Sequence, residues 1–401
     1  MLLNDKQQQQ GLFLTLLLFA FFLPLLPRVA TYTGIIGLLI CFLNPRIYLR
    51  LNRQSILEIL AFSTPLLIWL PALFMGYPVS GKVETKVSLF LLPLVFYLLD
   101  KDDLSQTLKL FKAYFLGLCV AVVYSLGAAL VTYLSLGTNN FFYSKLGAYL
   151  HFHPTYFSLY LILGICFFLI ALRKKLLNSL EVKIGWVSSV LFTTMILLLS
   201  SRSQWINFMI FIPLLVFPLL KDRLGGVKAI LVFSISGVIF LSAIYAIPAT
   251  NKRLMDIFKS KDADQSAQIT NVRYQTWDAS LKLLKNKPLV GVGVQNLQQE
   301  QLNMYETLEY ERPLREKYNA HNQYLDLLAG AGLLPLCFWL ICLFWQRSFN
   351  KQYFKFYTIA LSVFLLSFLT ESMLETARGV MLFSFVMGLL MVSIKWKEYE
   401  V

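Results

Sequence analysis

The sequence predicts an all-α polytopic membrane protein: about twelve transmembrane helices with one large, mostly helical loop on the outer face. Three observations lead there. Only 14% of the residues are charged and 57% are hydrophobic, whereas a soluble domain carries roughly a quarter charged residues. The apolar residues fall into runs near the ~17–25 that a helix needs to cross hydrocarbon. The basic residues are shared unequally between alternate connecting segments.

In chain order the expected spans are 11–26, 31–43, 56–76, 87–99, 108–136, 154–172, 184–199, 204–220, 227–247, 323–345, 353–370 and 377–394. The first follows Lys6 and a run of glutamines, like a signal peptide. It lacks a small-residue cleavage site and is followed by Pro24 and Pro27, which makes it a retained anchor. The second and fourth are short, either tilted together or partly re-entrant. Residues 184–220 would run roughly 55 Å as one helix, and Ser200-Ser201-Arg202-Ser203 divides them into two spans. His151-Phe-His153-Pro154 opens the sixth span, with the proline suited to a first helical turn. Histidines two apart do not share a helix face, so they are a poor metal site.

With the N-terminus cytoplasmic, the cytoplasmic segments hold 19 of the 36 Lys and Arg, and the short outer segments hold six. Basic loops resist translocation, so the +14 net charge is topological, and nucleic acid is excluded as a partner class. The remaining eleven basic residues lie in 248–320; long segments translocate largely regardless of charge, which places this loop outside and both termini in the cytoplasm. The expected organisation is thus 1–247 (nine spans), 248–320 (loop domain) and 321–401 (three spans). All five cysteines fall in apolar spans, which leaves no disulfide framework and no Cys–His metal spacing.

Within the loop, Thr270-Asn271 offers an N-cap for a helix from about Val272 to Lys285. Tyr274, Trp277, Leu281 and Leu284 form its apolar face. Asn286-Lys287-Pro288 ends it, Gly291 and Gly293 mark a tight turn, and a second helix spans Asn296 to about Leu308. Arg273 falls in the first turn, where helix N–H groups attract anions and a guanidinium adds a fork for phosphate oxygens; the competing reading is a solvated basic residue or a salt bridge with Asp278 or a loop acid. Arg202, flanked by serines including Ser201, sits at the outer end of the seventh span. It either snorkels to headgroups or faces a cavity or partner. Glu371 and Glu375, four apart at the end of the eleventh span, would share a helix face, one of them holding His321 or acting as a second base, or the two forming an exposed pair neutralised by Arg378. Asp100-Lys-Asp102-Asp103 lies in a cytoplasmic loop. No metal site or cofactor is expected.

Asn319-Ala-His321-Asn322 places an imidazole where the polar loop re-enters an apolar run. Local physics allows a plain polar-capped helix start or a proton-transfer group at the water–membrane boundary.

Three stretches taken together resemble the O-antigen ligase and O-antigen polymerase superfamily. They are Leu-Ser200-Ser-Arg202-Ser-Gln-Trp-Ile, then Arg273-Tyr-Gln-Thr-Trp277 through Pro288-Leu-Val-Gly291-Val-Gly293, and His321-Asn322 with nine residues before Gly332. The resemblance implies a GT-C-like inner-membrane glycosyltransferase. It would transfer a glycan from an undecaprenyl-pyrophosphate carrier to an acceptor hydroxyl, a lipid A-core sugar, on the periplasmic face without a metal and with inversion. It implies His321 as base, Arg202 and Arg273 as pyrophosphate-binding groups, and Asn322, Glu371 and Ser201 in support, with Asn322 orienting the imidazole or meeting a sugar. Tyr305, Tyr310 and Tyr318 would line a saccharide path or serve as ordinary interfacial aromatics. The ligases' exit motif ends in Gly, Thr or Tyr where this chain has Pro335, expected to kink the tenth span. That departure keeps open a repeat-unit polymerase, whose acceptor is a second lipid-linked glycan. A protein O-oligosaccharyltransferase keeps the same chemistry with a protein hydroxyl. A lipid-linked glycan transporter is the non-enzymatic alternative, disfavoured because transporters place ionisable groups near the bilayer midplane.

Overall fold

A computed structural model describes residues 4–99, 104–258, 264–345 and 351–393. The acidic run Asp100 to Asp103 lies outside them. Among the described residues the chain is α-helical with two short 3-10 turns and no strand. Among the described residues five helices are long and apolar enough to cross a membrane: Gln106–Leu136, Pro154–Arg173, Ser179–Leu199, Arg202–Leu224 and Gly226–Ala246. A sixth span is available if Arg53–Phe62 and Thr64–Phe74, bent by 65°, cross together. Pro27–Leu43, Leu333–Phe344, Lys355–Phe368 and Ala377–Ser393 are apolar but shorter. The protein is therefore an all-helical integral membrane protein.

The chain divides into two compact units, residues 17–31 with 108–261, and residues 1–16, 32–107 and 262–401. The first is built around Pro154–Arg173, most of which is buried inside the protein, packed by Ser179–Leu199 and Arg202–Leu224. Gly226–Ala246 is apolar along its length yet largely uncovered, a state that only an apolar solvent tolerates. Asn178 and Glu181 form a reciprocal capping box at the start of Ser179–Leu199. Ser200, left-handed at φ 52°, ends that helix, and Ser201 opens the next. The serine break expected between the seventh and eighth spans is present.

In the other unit, Ala377–Ser393 packs most heavily against Ser88–Leu98. A ring cluster fills the space beside them: Phe62 stacks on Phe383 at 5.2 Å, and Phe364 and Phe368 meet Phe383 at 5.0 and 5.7 Å. Lipid removes much of the hydrophobic drive between helices, so such packing and buried hydrogen bonds carry more of the association. The expected third span breaks at Ser63, with Pro65 and Pro71 opening the short helices that follow. Trp339 Nε1 donates to the freed Phe62 carbonyl at 3.3 Å, and Ser63 Oγ donates to the Ile59 and Leu89 carbonyls.

The expected tenth span is also two helices, Gln323–Ala331 and Leu333–Phe344, parted at Gly332. The Pro288–Gly293 loop repairs the break. Val292 and Gly293 donate to the Ala329 and Gly330 carbonyls at 2.8 and 2.9 Å, and Leu333 donates to the Pro288 carbonyl at 3.0 Å. Gly291 and Gly332 have φ of 66° and 86°, and a Cβ on Gly332 would lie 2.2 Å from the Leu289 carbonyl oxygen. Glycine is the residue that permits both the left-handed backbone and this approach. Pro335 does not kink the span: it falls in the first turn of Leu333–Phe344, where no intrahelical N–H is needed.

Candidate functional site

The site in the second-described unit grows from the turn before Gln323–Ala331. Asn322 caps that helix, its side-chain oxygen accepting from the Tyr324 and Leu325 amides at 3.0 and 3.2 Å. Its own amide donates to Ser372 Oγ at 3.1 Å. Asn322 is buried and its oxygen is committed to the cap, so the expected role beside the imidazole or a sugar would fall to its Nδ2 amide. One residue earlier, His321 is left-handed at φ 47°, uncommon for a residue with a Cβ. Its amide donates to Asn319 Oδ1 at 3.0 Å.

This backbone turns the imidazole toward the segment after Lys351–Phe368. His321 Nδ1 lies 3.3 Å from Glu371 Oε2, with side-chain exposures of 31% and 12%, so the pair is shielded but still reachable. The Tyr318 ring meets the imidazole edge-on at 5.2 Å. Leu374 N–H donates to Gln323 Oε1 at 2.6 Å, and Tyr324 Oη donates to the Leu365 carbonyl at 2.8 Å. The two segments are thus stitched together on either side of the His–Glu pair.

Glu371 and Glu375 do not share a helix face, because Glu371 is in irregular backbone and Glu375 ends a 3-10 turn, Met373–Glu375. Glu375 pairs with Lys86 at 2.8 Å and Lys82 at 3.0 Å; its neutralisation was expected from Arg378. Burial pushes the Glu375 carboxyl up, but the two ammonium groups more than offset this and hold it below its ordinary range. Lys86, 1% exposed, is pushed down from the usual lysine range by burial and lies over the Trp69 ring at 5.1 Å.

Arg273 is not in a first turn. Its helix is Asp264–Asn286, which puts Arg273 mid-helix, where the backbone N–H groups are spent within the helix. Arg273 is exposed. The face buried on this helix is Val272, Thr276, Ala279, Ser280 and Leu283, whereas Tyr274 and Leu281 are 67% and 47% exposed. The apolar face is therefore offset from the expected one, because small polar residues take the tight contact with Leu297–Thr307 and Gln323–Ala331. Of the competing readings, a solvated Arg273 agrees with its exposure, while Asp278 bonds Lys282 at 2.8 Å and accepts from Tyr310 Oη at 2.9 Å. The Lys282 hydrogen bond holds its carboxyl below the ordinary value. Tyr305 is fully buried, donating to the Tyr318 carbonyl at 3.1 Å, and so lines no open path.

Arg202 and Ser201 belong to the other unit. Arg202 is the first residue of Arg202–Leu224, half-buried at the helix N-terminus, where the partial positive charge favours anions. Ser201 is buried and its hydroxyl lies 3.2 Å from Thr155 Oγ1. That contact sets the start of Arg202–Leu224 beside the start of Pro154–Arg173, which His153 caps by accepting from the Thr155 amide.

Sequence reasoning missed Asp326, Ser372, Gln301 and the Lys86–Glu375 pair. Asp326 had a signal: a carboxylate inside an apolar run needs partners. Ser372 and Gln301 had none, since their importance comes from chain segments distant in sequence. Among the described residues no group of His, Cys, Asp and Glu is arranged to hold a metal. Residues 187–340 match the family model described as O-antigen ligase, a range that includes Arg202, Arg273 and His321 and ends before Glu371. No curated protein matches the chain.

Proposed function

We propose, from the match of residues 187–340 to the family model described as O-antigen ligase, that this protein is an O-antigen ligase-type transferase. It moves a glycan from an undecaprenyl-pyrophosphate carrier to an acceptor hydroxyl on a lipid A-core sugar, at the periplasmic face of the inner membrane, with both termini cytoplasmic. The observation that carries the reading is the His321–Glu371 pair. In the tautomer with Nδ1–H, Glu371 accepts that proton's hydrogen bond and leaves Nε2 to take the acceptor's hydroxyl proton. The acceptor oxygen then bonds to the anomeric carbon as the bond from that carbon to the pyrophosphate oxygen breaks. A single displacement of this kind inverts the carbon. The leaving pyrophosphate gains charge, for which the resemblance implies the planar cations of Arg273 and, from the other unit, Arg202.

A second reading, repeat-unit polymerase, is favoured by Pro335, which departs from the ligases' exit motif. Both use the same donor and base and differ in acceptor. A deletion strain separates them. A ligase mutant makes rough lipopolysaccharide and accumulates long carrier-linked polymer; core capped with a single repeat would overturn the ligase assignment in favour of the polymerase.

A further inference from the structure

His321 holds a left-handed backbone, and such a conformation in a residue with a Cβ costs energy that its surroundings must over-determine. The peptide groups that flank it show how. The amide of the preceding residue, Ala320, donates to Asp326 Oδ1 at 3.2 Å, and the Ala320 carbonyl, at 3.3 Å, shares the Thr276 hydroxyl proton with the Arg273 carbonyl at 3.0 Å. Both polar groups of this one residue are therefore gripped by side chains. Both grips are themselves fixed: Thr276 is fully buried, Asp326 is 5% exposed, and Gln301 Nε2 donates to the same Asp326 oxygen at 3.3 Å. Asp326 is brought back under Ala320 because it lies in the first turn of the helix that Asn322 caps. Thr276 comes from the Asp264–Asn286 helix, one turn beyond Arg273, about 4.5 Å along the axis at 1.5 Å per residue.

We propose that Asp326 and Thr276 are positioning residues that clamp Ala320, setting the direction of the His321 imidazole and tying it to the helix that carries Arg273. The clamp touches no substrate and acts through His321, so it rests on His321 being the base. A buried carboxylate retained for a backbone N–H in an otherwise apolar helix is costly unless it organises something. What it organises here is a strained turn whose next side chain pairs with Glu371.

The test is steady-state turnover of the purified, reconstituted protein with a synthetic polyprenyl-pyrophosphate-linked glycan donor, with His321→Ala as control and melting temperature recorded for every variant. Asp326→Ala is expected to lose about 10²-fold in kcat, the scale of a misplaced catalytic group, with the donor KM unchanged. Asp326→Asn, which keeps an oxygen for the Ala320 amide, is expected to restore turnover. Thr276→Val preserves shape and folding and is expected to lower kcat roughly 10-fold with KM unchanged; it decides the matter if Asp326→Ala does not fold. An inactive His321→Ala beside Thr276→Val and a folded Asp326→Ala at full kcat would overturn the clamp alone, as would Asp326→Asn falling as far as Asp326→Ala. An active His321→Ala would overturn the assignment of the base, and the clamp with it.

Discussion

His321 Nδ1 and Glu371 Oε2 are 3.3 Å apart although fifty residues separate them in sequence. If His321 is the base, this contact anchors Nδ1 and leaves Nε2 for the acceptor's proton. Glu371→Gln is therefore expected to do more harm than its shape suggests. A glutamine amide can donate to Nδ1 and stabilise the wrong tautomer, so turnover should fall on the order of 10²-fold or more. His321→Ala should cost on the order of 10²–10⁴-fold. Assays of both purified variants with a lipid-linked donor check this, and near-normal turnover of either would remove it from the mechanism.

The two arginines are expected to resist conservative replacement. Lysine lacks the planar fork that meets two phosphate oxygens, so Arg202→Lys and Arg273→Lys should both raise donor KM and lower kcat. Turnover should persist in EDTA, since the proposed displacement invokes no metal ion. Isothermal titration of a carrier pyrophosphate analogue into each variant reads the loss. Unchanged affinity would leave these residues as solvated or headgroup-bound cations.

Glu375 is expected to matter for stability. Glu375→Gln leaves the buried Lys86 ammonium without its partner, a change worth about 3–5 kcal/mol in comparable cases. A Lys86→Met, Glu375→Leu double variant should recover much of it. Because the folded carboxyl is held below its ordinary 4.5, its contribution is complete above that value and is lost as pH falls through the lowered one. Thermal unfolding in detergent against pH tests both statements. Lys86, lowered by burial, carries part of the opposing cost.

Gly332→Ala is expected to disrupt the join between the Pro288–Gly293 loop and the helix break. The new Cβ would meet a carbonyl oxygen at 2.2 Å at a left-handed φ, a combination that should cost about 3 kcal/mol or more. Gly127→Ala, with nothing within 4 Å, should be tolerated. Melting temperatures of the two variants, measured side by side, decide it.

The topology is tested by single cysteines in a background lacking the native five. Gln298→Cys should react with a membrane-impermeant thiol reagent in outer-membrane-permeabilised cells, and Lys175→Cys should not. The reverse pattern would invert the whole arrangement.

The helical membrane class, the break at Ser200-Ser201 and the order Arg202, Arg273, His321 were all legible in the linear chain. Each rests on local quantities: apolar run length, serines at a helix boundary, and charge where a run ends. The offset on Asp264–Asn286 was not legible, because Thr276 and Ser280 are buried by the tight contacts they permit, which hydropathy does not record. Nor was the division of labour at the exit motif. Sequence alone presents His321 and Asn322 as adjacent polar groups of equal promise. Only the tertiary structure commits Asn322 to the helix cap, brings Glu371 to His321, and pairs Glu375 with Lys86. A polar side chain's role depends on which partner meets it in a low-dielectric interior, and those partners come from segments whose spacing along the chain carries no periodic signal.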